Sequence, residues 1–142
     1  MPFRALLLLP LILLLAPAAP SDPRFDDQWA LRQVAAVCAW ERTTGSADVI
    51  VAVIDSGADL THPDLIGRVR ADGYDFVDND NDPSDENGHG THVTGIIAAT
   101  LNNGEGGAGL APGVSILPVR VMNARGKGSD FSIAQGIRFA AD

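Results

Sequence analysis

Val49-Ile50-Val51-Ala52-Val53-Ile54, closed by Asp55-Ser56-Gly57, is an unbroken apolar run rich in β-branched residues and free of polar alternation. That pattern predicts a strand buried on both faces, the environment of a parallel sheet. Before it, Gln28 to Trp40 carries Trp29, Val34, Val37 and Trp40 on one helical face, and Thr44-Gly45-Ser46 is a turn. After it, Val93, Ile96, Ile97, Thr100 and Leu101 keep helical spacing until the glycine-rich segment from Asn102 to Gly109 stops them. Ser115 to Met122 reads as a second strand. Ser129 then caps a helix whose apolar positions are Ile133, Ile137, Ala140 and Ala141. Strand, helix, strand, helix predicts an α/β domain with a parallel sheet and crossover helices. No Gly, Asn or Pro closes the last helix, so the expectation is a domain cut at its C-terminal side.

The 142 residues suffice for one domain, and 46% apolar with 20% charged residues is the composition of a folded chain. Eighteen acidic against ten basic residues give a net charge of −8, which excludes the basic footprint needed for DNA or RNA. Seven carboxylates and no cation fall between Asp72 and Glu86. The single Cys38 rules out an internal disulfide and a cysteine zinc cage, and is expected to be a small buried hydrophobe. Residues 1–20 combine Arg4, an apolar run from Ala5 to Leu15 broken by Pro10, and the small-x-small site Ala16-Pro17-Ala18. This predicts a signal peptide and export. The run falls short of the roughly 20 residues that cross a bilayer.

Asp55 stands at the carboxyl end of its strand, where open α/β sheets place functional groups, although Asp before Ser-Gly is also a common turn. His89 lies in Asn87-Gly88-His89-Gly90-Thr91-His92-Val93 at a helix start, where the macrodipole disfavours the protonated imidazole and biases it toward a neutral base. A base that takes up a proton at neutral pH needs a carboxylate on its other nitrogen, and Asp55 is the candidate.

Val53-Ile54-Asp55-Ser56-Gly57 followed by this His-Gly-Thr-His segment resembles the subtilisin-like serine peptidases, the subtilase family, and its thermitase-like members in particular. The likeness continues through His62-Pro63-Asp64-Leu65, Tyr74-Asp75-Phe76-Val77-Asp78, Gly109-Leu110-Ala111-Pro112 and Val119-Arg120-Val121. It implies a subtilisin-like three-layer α/β sandwich, with helices on both faces of the sheet, of which residues 21–142 are the N-terminal half. By position, Asp55 resembles the orienting acid and His89 the general base. His92 is then a non-catalytic second histidine, or, read as residues i and i+3, a partner of His89 in a metal site. The Gly-Thr-Ser nucleophile motif of the family does not occur in the sequence, and the resemblance implies that its oxyanion Asn lies beyond residue 142. The implied function is a secreted serine endopeptidase using an Asp-His-Ser triad, with this chain inactive alone. The alternative is a non-catalytic, calcium-binding pseudo-protease fragment.

Asp78, Asp80 and Asp82 alternate like the first half of an EF-hand loop, but Pro83 stands where that loop needs Gly and His89 where it needs Glu. A solvated acidic loop is one reading; calcium relieving the mutual repulsion is the other. The resemblance implies calcium at Asp75, Asp78, Asp80 and Asp82. It implies a second site from Asp22, Asp64 and Asn103, with the carbonyls of Thr100, Glu105 and Gly107. It also matches Gly126 and Gly128 to a substrate-pairing edge, and Met122 and Ile133 to pocket walls. The implied partner is a protein or peptide substrate, with no nucleic acid, no membrane once the leader is removed, and a monomeric state. Family members generally carry a pro-domain after the signal, whereas here the leader runs straight into Asp22-Pro23-Arg24-Phe25.

Overall fold

The computed structural model describes residues 18–142, so most of the signal peptide expected at residues 1–20 lies outside the described residues. Strand β1 (Ile50–Asp55) pairs in parallel with β3 (Ser115–Arg120), placing Asp55 opposite Arg120. A two-residue strand, β2 (Tyr74–Asp75), pairs in parallel with the far side of β3, so the order is β1-β3-β2. Two residues are too few to show a period, which is why β2 has no sequence signature.

Helix α3 (His89–Ala98) crosses between β2 and β3, and α4 (Asp130–Ala141) follows β3. They cover opposite faces of the sheet, as strand alternation requires. Val53, Val114 and Ile116 pack with Ala98 of α3, together with Val51, Val93 and Ile97. The intervening side chains of Ile54, Val119 and Val121 instead approach Gly136 of α4. This is an α/β fold with a parallel sheet between helices, as the element order predicts.

Several boundaries differ from expectation. Val49 and Ile50 are 52% and 49% exposed, so burial of β1 grows only toward its carboxyl end. Among the described residues β1 has a strand neighbour on one side only. The helix expected over Gln28 to Trp40 is two short ones, α1 (Trp29–Gln33) and α2 (Ala36–Trp40), separated where Ala35 adopts a left-handed φ of 55°. That break shifts the buried set to Phe25, Leu31, Ala36 and Ala108, with Val37 and Trp40 packed against them, and leaves Trp29 73% exposed. Cys38 is exposed, contrary to expectation. It follows the buried Ala36 by two positions, about 200° around the helix, and so points away from the core.

Helix α3 stops at Ala98 rather than running to Leu101, because the returning chain takes its last carbonyls. Gly109 N donates to Ala99 O, Leu110 N to Ile96 O and Ala111 N to Ile97 O, at 2.8–3.0 Å. A Cβ at Gly109 would lie 2.4 Å from Ala99 N, so only glycine passes this close. Helix α4 begins as predicted, with Ser129 Oγ accepting from Ser132 N at 3.0 Å.

At Gly136 a Cβ would meet Val121 Cγ1 at 2.6 Å and Ile54 and Val119 methyls at 3.1 Å. Alanine gains about 1 kcal/mol of helix propensity over glycine, whereas overpacking a filled core costs about 1–3 kcal/mol. Gly136→Ala is therefore expected to be net destabilising, and Gly136→Val more so. In urea titrations both should lower the unfolding midpoint without changing the slope.

Candidate active site

The sheet delivers Asp55 with its backbone already held. Its carbonyl accepts from Val121 N at 2.8 Å and Met122 N at 3.2 Å, and its own Oδ1 accepts from Ser56 N at 2.7 Å. His89, the first residue of α3, lies 34 positions on, and its Nδ1 stands 2.8 Å from Asp55 Oδ1 and 2.9 Å from Oδ2. A carboxylate only accepts, so Nδ1 carries the hydrogen and Nε2 is the free basic nitrogen. The Asp55 side chain is 12% exposed and that of His89 60%, which anchors one end of the imidazole and opens the other.

The neutral bias expected for His89 from the helix dipole does not prevail. The hydrogen bond to Asp55, then the charge of Asp55, raise the His89 pKa above its ordinary 6.5; desolvation opposes this weakly, and Asp85 adds to the rise. Folding thus favours the protonated ring. That contribution is complete below about 6.5 and is lost as the pH rises through the raised value, above which the ring is available as a base.

The start of α3 is held by the glycines that flank His89 and by Asn87, Ser56 and Asp85, whose capping role has no signature in the sequence. Gly88 takes a φ of 96°, and a Cβ on Gly90 would fall 2.1 Å from Gly57 O. The first three helical amides then find separate acceptors: His89 N on Asn87 Oδ1, Gly90 N on Ser56 Oγ, and Thr91 N on Asp85 Oδ2. Burial opposes the charge on Asp85, yet the Thr91 hydroxyl and the amides of Gly88, Thr91 and Asn87 outweigh it and bring its pKa to about 2. Its stabilising contribution is present above about 3.8 and is lost as the pH falls through that lower value. In the sequence Asp85 is one of seven acids in a run, and its position relative to the helix start is the only local signal.

Met122 and Gly126 join His89 and Asn87 around a small cleft of 180 Å³. Asn87 Nδ2 also donates to Ala124 O at 3.0 Å, tying the two loops together. Gly128 does not line this cleft and packs on the Val121 backbone, where a Cβ would sit 2.5 Å from Val121 O. Ile133, on α4, is 36% exposed and likewise lies outside the lining. A larger cleft of 660 Å³ runs along His92 and Gly95 of α3 and its flanking residues Gly88 and Ala99, reaching His62, Asp59 and Arg24. His92 faces this cleft and His89 the smaller one, and no three His, Cys, Asp or Glu side chains converge on a metal position among the described residues.

The expected calcium ligands fall in two different settings. Asp22 and Asp64 are each 4% exposed, and neither has an ion-pair partner among the described residues. Asn103 joins them, donating from its backbone N to Asp22 Oδ1 at 3.0 Å and from Nδ2 to Asp64 Oδ1 at 2.9 Å. Gly107 N reaches Asp64 Oδ2 at 3.3 Å, and a Cβ at Gly106 would strike that oxygen at 2.3 Å. Both carboxylates are thus met by N–H donors from the loop after α3 and carry no compensating charge among the described residues.

The acidic loop is different, because it is compensated by a residue remote in sequence. Arg120 of β3, 5% exposed, pairs with Asp75 at 2.7 Å, with Asp78 at 3.2 Å and with Glu86. Arg70 pairs with Asp72. Asp80 and Asp82 accept from the amides of Asp82 and Ser84 at 2.9 and 3.2 Å. The run that lacks a cation in the sequence has two in space.

The sequence pattern described as the subtilase family matches residues 46–142. The chain is 48% identical to thermitase of Thermoactinomyces vulgaris over 124 residues, covering 87% of this chain and 44% of that protein. It is 56% identical to a thermophilic serine proteinase of Bacillus sp. (strain AK1) over 104 residues, covering 73% and 26%. Among solved structures, a protease from Pseudoalteromonas arctica superposes with a TM-score of 0.74 at 36% identity, covering 84% of this chain and 43% of the other. The chain thus spans between a quarter and a half of the length of these relatives.

Asp75 is fully buried, so removing its guanidinium partner leaves an uncompensated charge in the interior. Arg120→Met is expected to cost about 3–5 kcal/mol. Arg120→Lys should recover little, since an ammonium lacks the fork that reaches three carboxylates. Thermal melts of the two variants beside Arg120→Met/Asp75→Leu, which removes the stranded charge, check this.

Proposed function

The chain belongs to the subtilase family, and on that premise we propose that residues 21–142 form the N-terminal half of the catalytic domain of a secreted serine endopeptidase. The contact that carries this reading is His89 Nδ1 on Asp55, with Nε2 left open. In the proposed reaction Nε2 takes the proton of a serine hydroxyl as its oxygen attacks the peptide carbonyl carbon. Asp55 holds the ring in the required tautomer and stabilises the imidazolium, which then protonates the departing amine. None of the described serines is bonded to His89: Ser56 donates to Asp85, and Ser129 and Ser132 bond each other at the start of α4. The nucleophile and the oxyanion Asn are therefore assigned to sequence outside these 142 residues, and the chain is expected to be inactive alone. Export rests on the leader pattern of residues 1–20.

The substrate is read as an extended peptide laid beside Gly126 and Gly128, with Met122, and Ile133 further along, bounding its side chains. Asp22, Asp64 and Asn103, with the carbonyls of Thr100, Glu105 and Gly107, would hold a calcium ion. Bound there, it would neutralise two buried carboxylates and pin the N-terminal segment to the loop after α3. At the acidic loop, Asp75, Asp78, Asp80 and Asp82 are the other proposed ligands, and there Arg120 already supplies positive charge.

A chimera joining residues 21–142 to the C-terminal part of thermitase tests the enzymatic reading. It should hydrolyse peptide substrates, and His89→Ala should lower kcat by about 10⁶-fold, the scale seen when a subtilisin loses this base. A folded chimera without hydrolysis would instead support a non-catalytic calcium-binding role.

Chelation tests the metal reading. At a hundredfold excess over Kd one bound ion stabilises by about 2.7 kcal/mol. Chelator should lower the Tm of the chimera, and Asp64→Asn should abolish most of that calcium-dependent difference. Asp80→Asn should abolish less of it, since Asp75 and Asp78 of its loop are already paired.

A further inference from the structure

Asp85 belongs to neither of the elements that carry Asp55 and His89, yet its carboxylate sits between them. Oδ1 accepts from Ser56 Oγ at 2.8 Å and from the amides of Asn87 and Gly88 at 2.9 Å. Oδ2 accepts from Thr91 N at 2.8 Å and Thr91 Oγ1 at 2.6 Å. The Ser56 hydroxyl that donates to Asp85 in turn accepts from Gly90 N at 2.9 Å. Ser56 directly follows Asp55, and Gly90 directly follows His89. The two residues adjoining the acid and the base are thus joined through one hydroxyl, whose direction Asp85 sets.

Capping a helix does not require this arrangement. A Ser or Asp at position 88 could satisfy the Thr91 amide from its own side chain, but Gly88 has none. The acceptor is instead three residues upstream, on a loop that also meets the exit of β1. There Ala58 N donates to Pro83 O at 3.0 Å, and Asp85 N donates to Ala58 O at 3.2 Å. Rotating or sliding α3 against the end of β1 would break charge-assisted hydrogen bonds, which are about twice as strong as neutral ones. A misplacement of about 1 Å in such a site costs on the order of 10² in rate.

We propose that Asp85 is a positioning residue for this pair, acting through Ser56 to lock the His89 imidazole onto Asp55. The inference rests on reading Asp55 and His89 as the acid and base of a peptidase. The charges that face the imidazole are those of Asp55 and Asp85, and both favour its protonated form.

Nuclear magnetic resonance of the isotopically labelled chimera with thermitase tests it, through the low-field His89 Nδ1 proton and the titration of the ring. Asp85→Ala and Ser56→Ala should each broaden or abolish that proton signal, and Asp85→Ala should also move the titration down. Asp85→Asn, which keeps one acceptor oxygen, should restore part of the signal. Ser129→Ala, which removes the cap of α4, should lower the Tm while leaving His89 unchanged. A wild-type His89 signal in Ser56→Ala, or in a folded Asp85→Ala, overturns the proposal. Should Asp85→Ala fail to fold, Ser56→Ala decides alone. An unchanged His89 titration in Asp55→Asn marks a different failure, that of the acid-base pair itself.

Discussion

The hydrogen bond between Asp55 and His89 is made only if the end of β1 and the start of α3 arrive at the same place from opposite directions. The chain leaving β3 secures one side, since Val121 and Met122 donate their amides to the Asp55 carbonyl. Steric closeness secures the other, because Gly90 packs where a Cβ would collide with the Gly57 carbonyl. What lies between is an excursion of 33 residues that must return to within hydrogen-bond distance. The geometry of one imidazole therefore depends on how that excursion is folded and neutralised.

Electrostatics governs the excursion. It carries nine carboxylates, seven of them between Asp72 and Glu86, and a loop of such charge would expand unless it were compensated. Arg120 enters from beneath, on the strand next to β1 and level with Asp55, and gathers Asp75, Asp78 and Glu86. Glu86 is followed at once by Asn87 and Gly88, so the same guanidinium that neutralises the loop also anchors the approach to α3. Among the described residues Asp22 and Asp64 have no such partner and are met by amides alone, and the two acidic groups differ in their proposed need for calcium for that reason.

Much of the framework was legible in single residues. The β-branched run to Ile54 reads as a parallel strand, Ser129 reads as a cap, and the Gly-rich segment after Leu101 reads as a helix stop. Asp55 and His89 were singled out by their chemistry at element ends, and the structure places them in contact. Where reading failed, a left-handed residue or a remote partner was responsible. Ala35 breaks a helix whose apolar spacing looked continuous, and the break turns Cys38 and Trp29 outward. Helix α3 ends early because chain from Gly109 to Ala111 takes its carbonyls.

The sequence by itself determined the class of the fold, the ends at which functional side chains stand, and the family, since these are carried by local pattern and short motifs. Tertiary structure decided which charges meet. The links from Asp85 to Ser56 and from Arg120 to Asp75 span 29 and 45 positions. No local propensity encodes such pairs: a side chain's partner across the fold is set by the register of β1 on β3 and by the path of the loop between them. The His89 pKa follows the same rule, because it is raised by the carboxylate of Asp55, which the fold brings to the ring from 34 positions away.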